Sequence, residues 1–178
     1  MFRRNNLVFG GLYLMAWLIF VGLCVEAGGM IVNFVFSLYN PDFVKNLYQK
    51  LDLSQLYSES KWGFFSMYSF LLSIFILKAW LFYIIIGLVG TLNLSQPFKS
   101  LDVKQILRIS SCTFSIGLLS YLAQQTNKSL ENSGFKIDNI ETLLPDSQAF
   151  ILMAGIIYVI AAIVLRGVEI QKENDLTI

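Results

Sequence analysis

Apolar residues in this chain neither alternate nor keep to one helical stripe. They come in four long runs, of which LVFGGLYLMAWLIFVGLCV and FLLSIFILKAWLFYIIIGLVG are the clearest. A helix packed on a soluble core keeps a polar side, whereas a helix apolar all round is enclosed by lipid or by protein. Runs of this length reach the roughly 20 residues needed to cross a hydrocarbon core of about 30 Å. The pattern predicts an all-α, integral membrane four-helix bundle built as one domain over 1–178, with spans at 7–38, 62–92, 105–124 and 148–168 and a tail at 169–178. The third span is the most polar: ILRISSCTFSIGLLSYLA carries the hydroxyls of Ser110, Ser111, Thr113, Ser115 and Ser120. Such groups bond back to their own helix or across to a neighbour, so this segment belongs inside the bundle.

The polar intervals set the sidedness. With the N-terminus cytoplasmic, Arg3, Arg4, Lys99, Lys104, Arg108, Arg166 and Lys172 lie inside, against Lys45, Lys50, Lys61, Lys128 and Lys136 outside. The four arginines close to span ends strengthen this bias, and both termini are predicted to be cytoplasmic. The first outer loop opens on an Asn40-Pro41 turn, after which Phe43, Leu47, Tyr48 and Leu51 fall at helical spacing. Two readings fit: a short amphipathic helix on the outer membrane surface, or a cap over the bundle's outer end, with Trp62 entering the next span at headgroup level. The second outer loop is polar and breaks at Ser133-Gly134.

Composition agrees with the pattern: 56% hydrophobic and 14% charged residues, with a mean hydropathy of +0.63, against about a quarter charged in a soluble domain. A net charge of +1 and the absence of a basic arm argue against direct nucleic-acid binding. Cys24 and Cys112 both sit in apolar runs and read as small packing residues rather than a disulfide or redox pair. The start, MFRRNN and an apolar run, imitates a secretory leader, but the run exceeds the usual roughly 7–15 residues and Leu23 stands where a lipoprotein cleavage motif needs a small residue. An uncleaved first span is expected.

Two ionisable residues fall within the runs, Glu26 and Lys78. Such groups are costly in hydrocarbon and turn to protein, to a partner charge or to water. Gly11, Met15, Gly22, Glu26, Gly29 and Asn33 share one helical stripe, which predicts that Glu26 and Asn33 face protein. Ser66, Ser69 and Ser73 mark a face of the second span away from which Lys78 projects. Depths of about 14 and 22 Å below the outer edge let long side chains bridge Glu26 to Lys78. An ion pair leads; snorkelling or water contact, and a role in proton or ion coupling, stand beside it.

Soluble-type catalysis finds no support. The chain has no histidine, no nucleophile elbow, phosphate loop or zinc-ligand pattern, and neither a catalytic site, a cofactor nor a metal is expected. Glu169 and Glu173, at i and i+4 beside Lys172, read as a solvated helix end. Asn127-Lys128-Ser129 matches a glycosylation acceptor, a match without meaning in a bacterial protein.

The tail RGVEIQKENDLTI and the inner stretch LKAWLFYIIIGLVGTLNLSQPFKSLDVKQILRIS resemble the C-terminal signature and the second-span, Pro-Phe loop and third-span entry of the YoaS-like domain-of-unknown-function family of small bacterial four-span membrane proteins. KAWLFY and NLYQKLDLSQLY resemble its Bacteroidetes-type branch. The resemblance implies a bacterial inner-membrane protein without enzymatic activity, often encoded beside a small helix-turn-helix regulator. It also suggests that the tail's apolar end, Leu176 and Ile178 beyond Arg166 and Glu169, docks on a partner or under the inner loop at Pro97 and Phe98. Three roles follow as expectations: sensing or signalling through a cytoplasmic helix-turn-helix regulator, transport or lipophile binding around Glu26 and Lys78, and an accessory place among other membrane subunits. The oligomeric state is left open.

Overall fold

A computed structural model of the chain describes residues 2–39, 44, 47, 51–91, 102–135, 137 and 139–175. Six helices follow one another: α1 (Phe2–Tyr39), α2 (Ser54–Glu59), α3 (Lys61–Thr91), α4 (Val103–Asn132), α5 (Ile140–Leu143) and α6 (Ser147–Asp175). Four of them, α1, α3, α4 and α6, are long and apolar enough to cross a membrane, as the runs predict. Their starts are set by local chemistry. Ser60 Oγ accepts from the Gly63 amide at 3.2 Å, Asp102 Oδ1 from Lys104 at 3.0 Å, and Asp146 Oδ1 from Gln148 at 3.0 Å, each supplying an acceptor to an orphan amide of the first turn.

The helices pack in chain order. α1 lies on α3, α3 on α4 and α4 on α6, and among the described residues no comparable packing joins α1 to α4 or α6. The two inner members of this row are covered from both sides. Half of the most apolar stretch of α4 is buried, against 6% for α1, although α4 is the more polar sequence. Three of its hydroxyls bond as the sequence leads one to expect: Ser110 Oγ donates to the Ala154 carbonyl of α6 at 2.9 Å, while Thr113 and Ser115 return to carbonyls of their own helix; Ser120 Oγ is buried without a partner among the described residues. Gly117 lets α6 come close, since a Cβ there would lie 2.8 Å from Ile151 Cγ1 and 3.0 Å from the Ile151 nitrogen.

The α4 helix runs past the span end predicted at 124 to Asn132. It then stops where the sequence places the break. Phe135 donates to the Leu130 carbonyl and Gly134 to that of Glu131, with Gly134 at φ +95°, the paired bonds and left-handed residue of a Schellman cap. The helical continuation through Gln124 and Asn127 is held by protein contacts that an apolar-run reading does not register. Gln124 reaches the Pro145 carbonyl and accepts from Ser147, and Asn127 Nδ2 donates to Glu131 at 2.7 Å. Asn127 is buried, in keeping with the motif match at Asn127-Lys128-Ser129 carrying no meaning.

Over the end of the bundle where α3 begins lies a cap. Val44, Leu47, Leu51, Leu53 and Leu56 are buried against Phe64, Met67, Tyr68 and Leu71, so the cap and not the surface-lying helix describes this loop. The Leu47 amide donates to the Leu51 carbonyl and the Leu53 amide to that of Val44, and the short helix described in this region is α2. Phe43 and Tyr48 lie outside the described residues. Trp62, 88% exposed, stands at the start of α3 as expected.

Candidate functional site

The antiparallel register of α1 and α3 is fixed at several levels. Tyr68 Oη donates to the Met30 carbonyl at 2.7 Å, the Phe20 and Tyr83 rings meet at 6.2 Å, and Tyr13 lies against Gly90. Between α3 and α4 the Cys112 thiol donates to the Leu77 carbonyl at 3.5 Å. These contacts leave a cleft of about 910 Å³ bounded by α1, α3 and α4, towards the end of the bundle where both termini lie.

One wall is aromatic. Trp17, Trp80 and Tyr83 line it, and their rings continue through Phe20 and Tyr13, outside the cleft, as a chain of contacts 5.5–6.5 Å between centroids. The opposite wall, on α4, presents Gln105, Arg108, Ser111 and Ser115 at three- and four-residue steps. Arg108 is the charged residue of the lining; it is exposed and has no ion-pair partner among the described residues. Gln105 Oε1 is buried with no hydrogen-bond partner among them. Gly87 contributes only backbone, and a Cβ built there meets nothing within 4 Å. The cleft is thus apolar along its aromatic wall and polar towards the start of α4.

Glu26 and Lys78 lie away from this cleft. Lys78 projects from the buried face of α3 that also holds Leu71, Ile74 and Phe75, while Ser66 and Ser69 are exposed opposite, as the helical spacing predicts. Its ammonium is 5.3 Å from the centre of the Phe75 ring, a cation–π arrangement. Glu26 and Lys78 do not close to an ion pair, whereas Arg166 pairs with Glu169 at 3.0 Å. The register explains this, because it sets Glu26 close to the level of Phe75, leaving Lys78 about one helical turn away.

The glycine stripe of α1 is not its packing face. Ala16, Ala27, Met30 and Ser37 are buried, whereas Gly11, Met15 and Gly22 are exposed; Glu26 and Asn33 flank the contact, half-buried. Cys112 packs as expected, but Cys24 is exposed in an apolar groove between α1 and α3. Arg166 and Glu169 are exposed on α6. Pro97, Phe98, Leu176 and Ile178 lie outside the described residues.

Trp17, Trp80, Tyr83 and Gln105 escaped the sequence reading, and Arg108 entered it only for sidedness. A signal was present in Trp80: it lies eleven residues before the end of α3 at Thr91, roughly 16 Å into the span, deeper than the headgroup belt where tryptophan is enriched.

Fold and cleft together define a class: an all-helical, multi-pass membrane protein with a lateral cleft between packed spans. More narrowly, the chain belongs to the family described as Protein of unknown function (DUF2975), which it matches over residues 46–178. No curated protein and no solved structure matches it.

Proposed function

We propose that this protein is a non-enzymatic component of a bacterial inner membrane, with both termini cytoplasmic, that holds a lipophilic ligand in the cleft between α1, α3 and α4. The cleft carries the reading. About 910 Å³ of space, mostly aromatic and aliphatic with a few convergent polar groups at one end, matches the general form of a small-molecule site. The competing placement of such a site around Glu26 and Lys78 has less support, since those groups face the packed side of α3. The motifs of the tail and of the KAWLFY stretch favour the YoaS-like, Bacteroidetes-type branch of the family.

The test uses the full chain, purified in mild detergent, washed and weighed intact by native mass spectrometry. One retained lipophile per chain is expected, lost in Gly87→Phe, which fills the cleft from a position where a new Cβ meets nothing. Retention unchanged by Gly87→Phe would overturn the reading.

A second reading, sensing through a cytoplasmic helix-turn-helix regulator, is favoured by the length of α6. That helix continues from Arg166 to Asp175, about 13 Å further, and offers a rigid arm to such a partner.

A further inference from the structure

We infer that the ligand of the cleft is a phosphatidylglycerol-type phospholipid whose headgroup is held by Gln105 and Arg108; this rests on the cleft-binding reading above. Polarity along the cleft runs in the sense of a lipid leaflet. Gln105 and Arg108 occupy the first two turns of α4 after its Asp102 cap, at headgroup depth, whereas Trp80 and Leu77 line the part furthest from the helix ends, at the depth of acyl chains. An amphiphile therefore enters with its polar end at α4 and its apolar chains along Trp80 and Tyr83.

Two observations narrow the headgroup. Arg108 is the charged group of the lining and has no acidic partner among the described residues, while the nearby Asp102 carboxylate is engaged with the Lys104 amide at 3.0 Å. A guanidinium so placed recognises a phosphodiester anion through charge-assisted bonds. Gln105 Oε1, a buried acceptor without a donor, sits three residues away on the same face, about 5–6 Å between Cβ atoms. A phosphodiester offers only acceptors, so the donor must come from the rest of the headgroup. Choline has none. Ethanolamine has one but brings a second cation beside Arg108. Glycerol supplies neutral hydroxyl donors and leaves a net charge of −1.

The measurement is native mass spectrometry of the full chain reconstituted with equal phosphatidylglycerol, phosphatidylethanolamine and phosphatidylcholine. Wild type is expected to retain phosphatidylglycerol over both others. Arg108→Gln is expected to lower that enrichment about tenfold and Arg108→Lys to restore part of it; Gln105→Leu lowers it severalfold. Equal retention of the three lipids, or an enrichment indifferent to Arg108→Gln, would sink the inference. If the retained lipids are equal but still lost in Gly87→Phe, the cleft binds lipid without headgroup choice and only this inference fails. Retention that ignores Gly87→Phe removes both.

Discussion

Gly117 and Gly22 are both glycines of membrane-spanning helices, and only one of them bears on stability. At Gly117 a Cβ meets Ile151 Cγ1 at 2.8 Å, the Ile151 nitrogen at 3.0 Å and the Ser147 carbonyl oxygen at 3.1 Å; two of these are backbone atoms that cannot swing aside. Gly117→Ala is therefore expected to force α4 and α6 apart at a cost of about 1–3 kcal/mol, read as a lower unfolding midpoint in detergent. Gly22 meets nothing within 4 Å. There Gly22→Ala should be neutral or stabilising by about 0.5–1 kcal/mol, because alanine loses less backbone entropy in a helix. The order of the two variants is the check: equal effects would mean that α4 and α6 are not in close contact at this point.

Between elements, the α1–α3 contact decides what Glu26 and Lys78 are worth. They share a side of the contact, but Lys78 is placed over Phe75 and no direct pair forms. A thermodynamic cycle of Glu26→Gln and Lys78→Met is expected to give a coupling energy below about 1 kcal/mol, whereas a value of 3 kcal/mol or more would require a closed, buried pair. The pairing looked plausible in the sequence because the two depths differ by only about 8 Å, within reach of two long side chains. Depth counted from guessed span ends cannot resolve one helical turn, and it cannot see that an aromatic ring stands at the same level. Element type and order were legible, since runs apolar on every side have few alternatives. The face that α1 turns inward was not. α1 packs through Ala16, Ala27 and Met30, small or flexible residues inside a continuous apolar run, where neighbouring glycines offered an equally regular stripe. For the first loop the sequence left two readings open, and the burial of Val44, Leu47 and Leu51 against α3 favours the cap.

For the molecule as a whole, the cleft arises only when α1, α3 and α4 are brought together, which is why no motif announced it. Its residues come from three separate runs, Trp17 from the first and the rest from the second and third, and no run taken alone marks the site. The opposite pole of the molecule's chemistry is the arm of α6, with the Arg166–Glu169 pair at its root. If that arm reports to a helix-turn-helix regulator, the intact protein should retain the regulator through purification from its host. A chain ending at Lys172 should insert into the membrane and lose it. Retention by the shortened chain would count against the arm as the point of attachment.

The row-like packing order bears on how such a chain reaches its native state. Because each spanning helix rests on the one before it in sequence, every newly inserted span finds its docking surface already in place, and no early helix has to wait for a late one. Low sequence separation between partners favours rapid assembly, and synthesis from the N-terminus follows the same order. Assembly of this protein during translation can therefore proceed as a succession of hairpins, each closed before the next emerges.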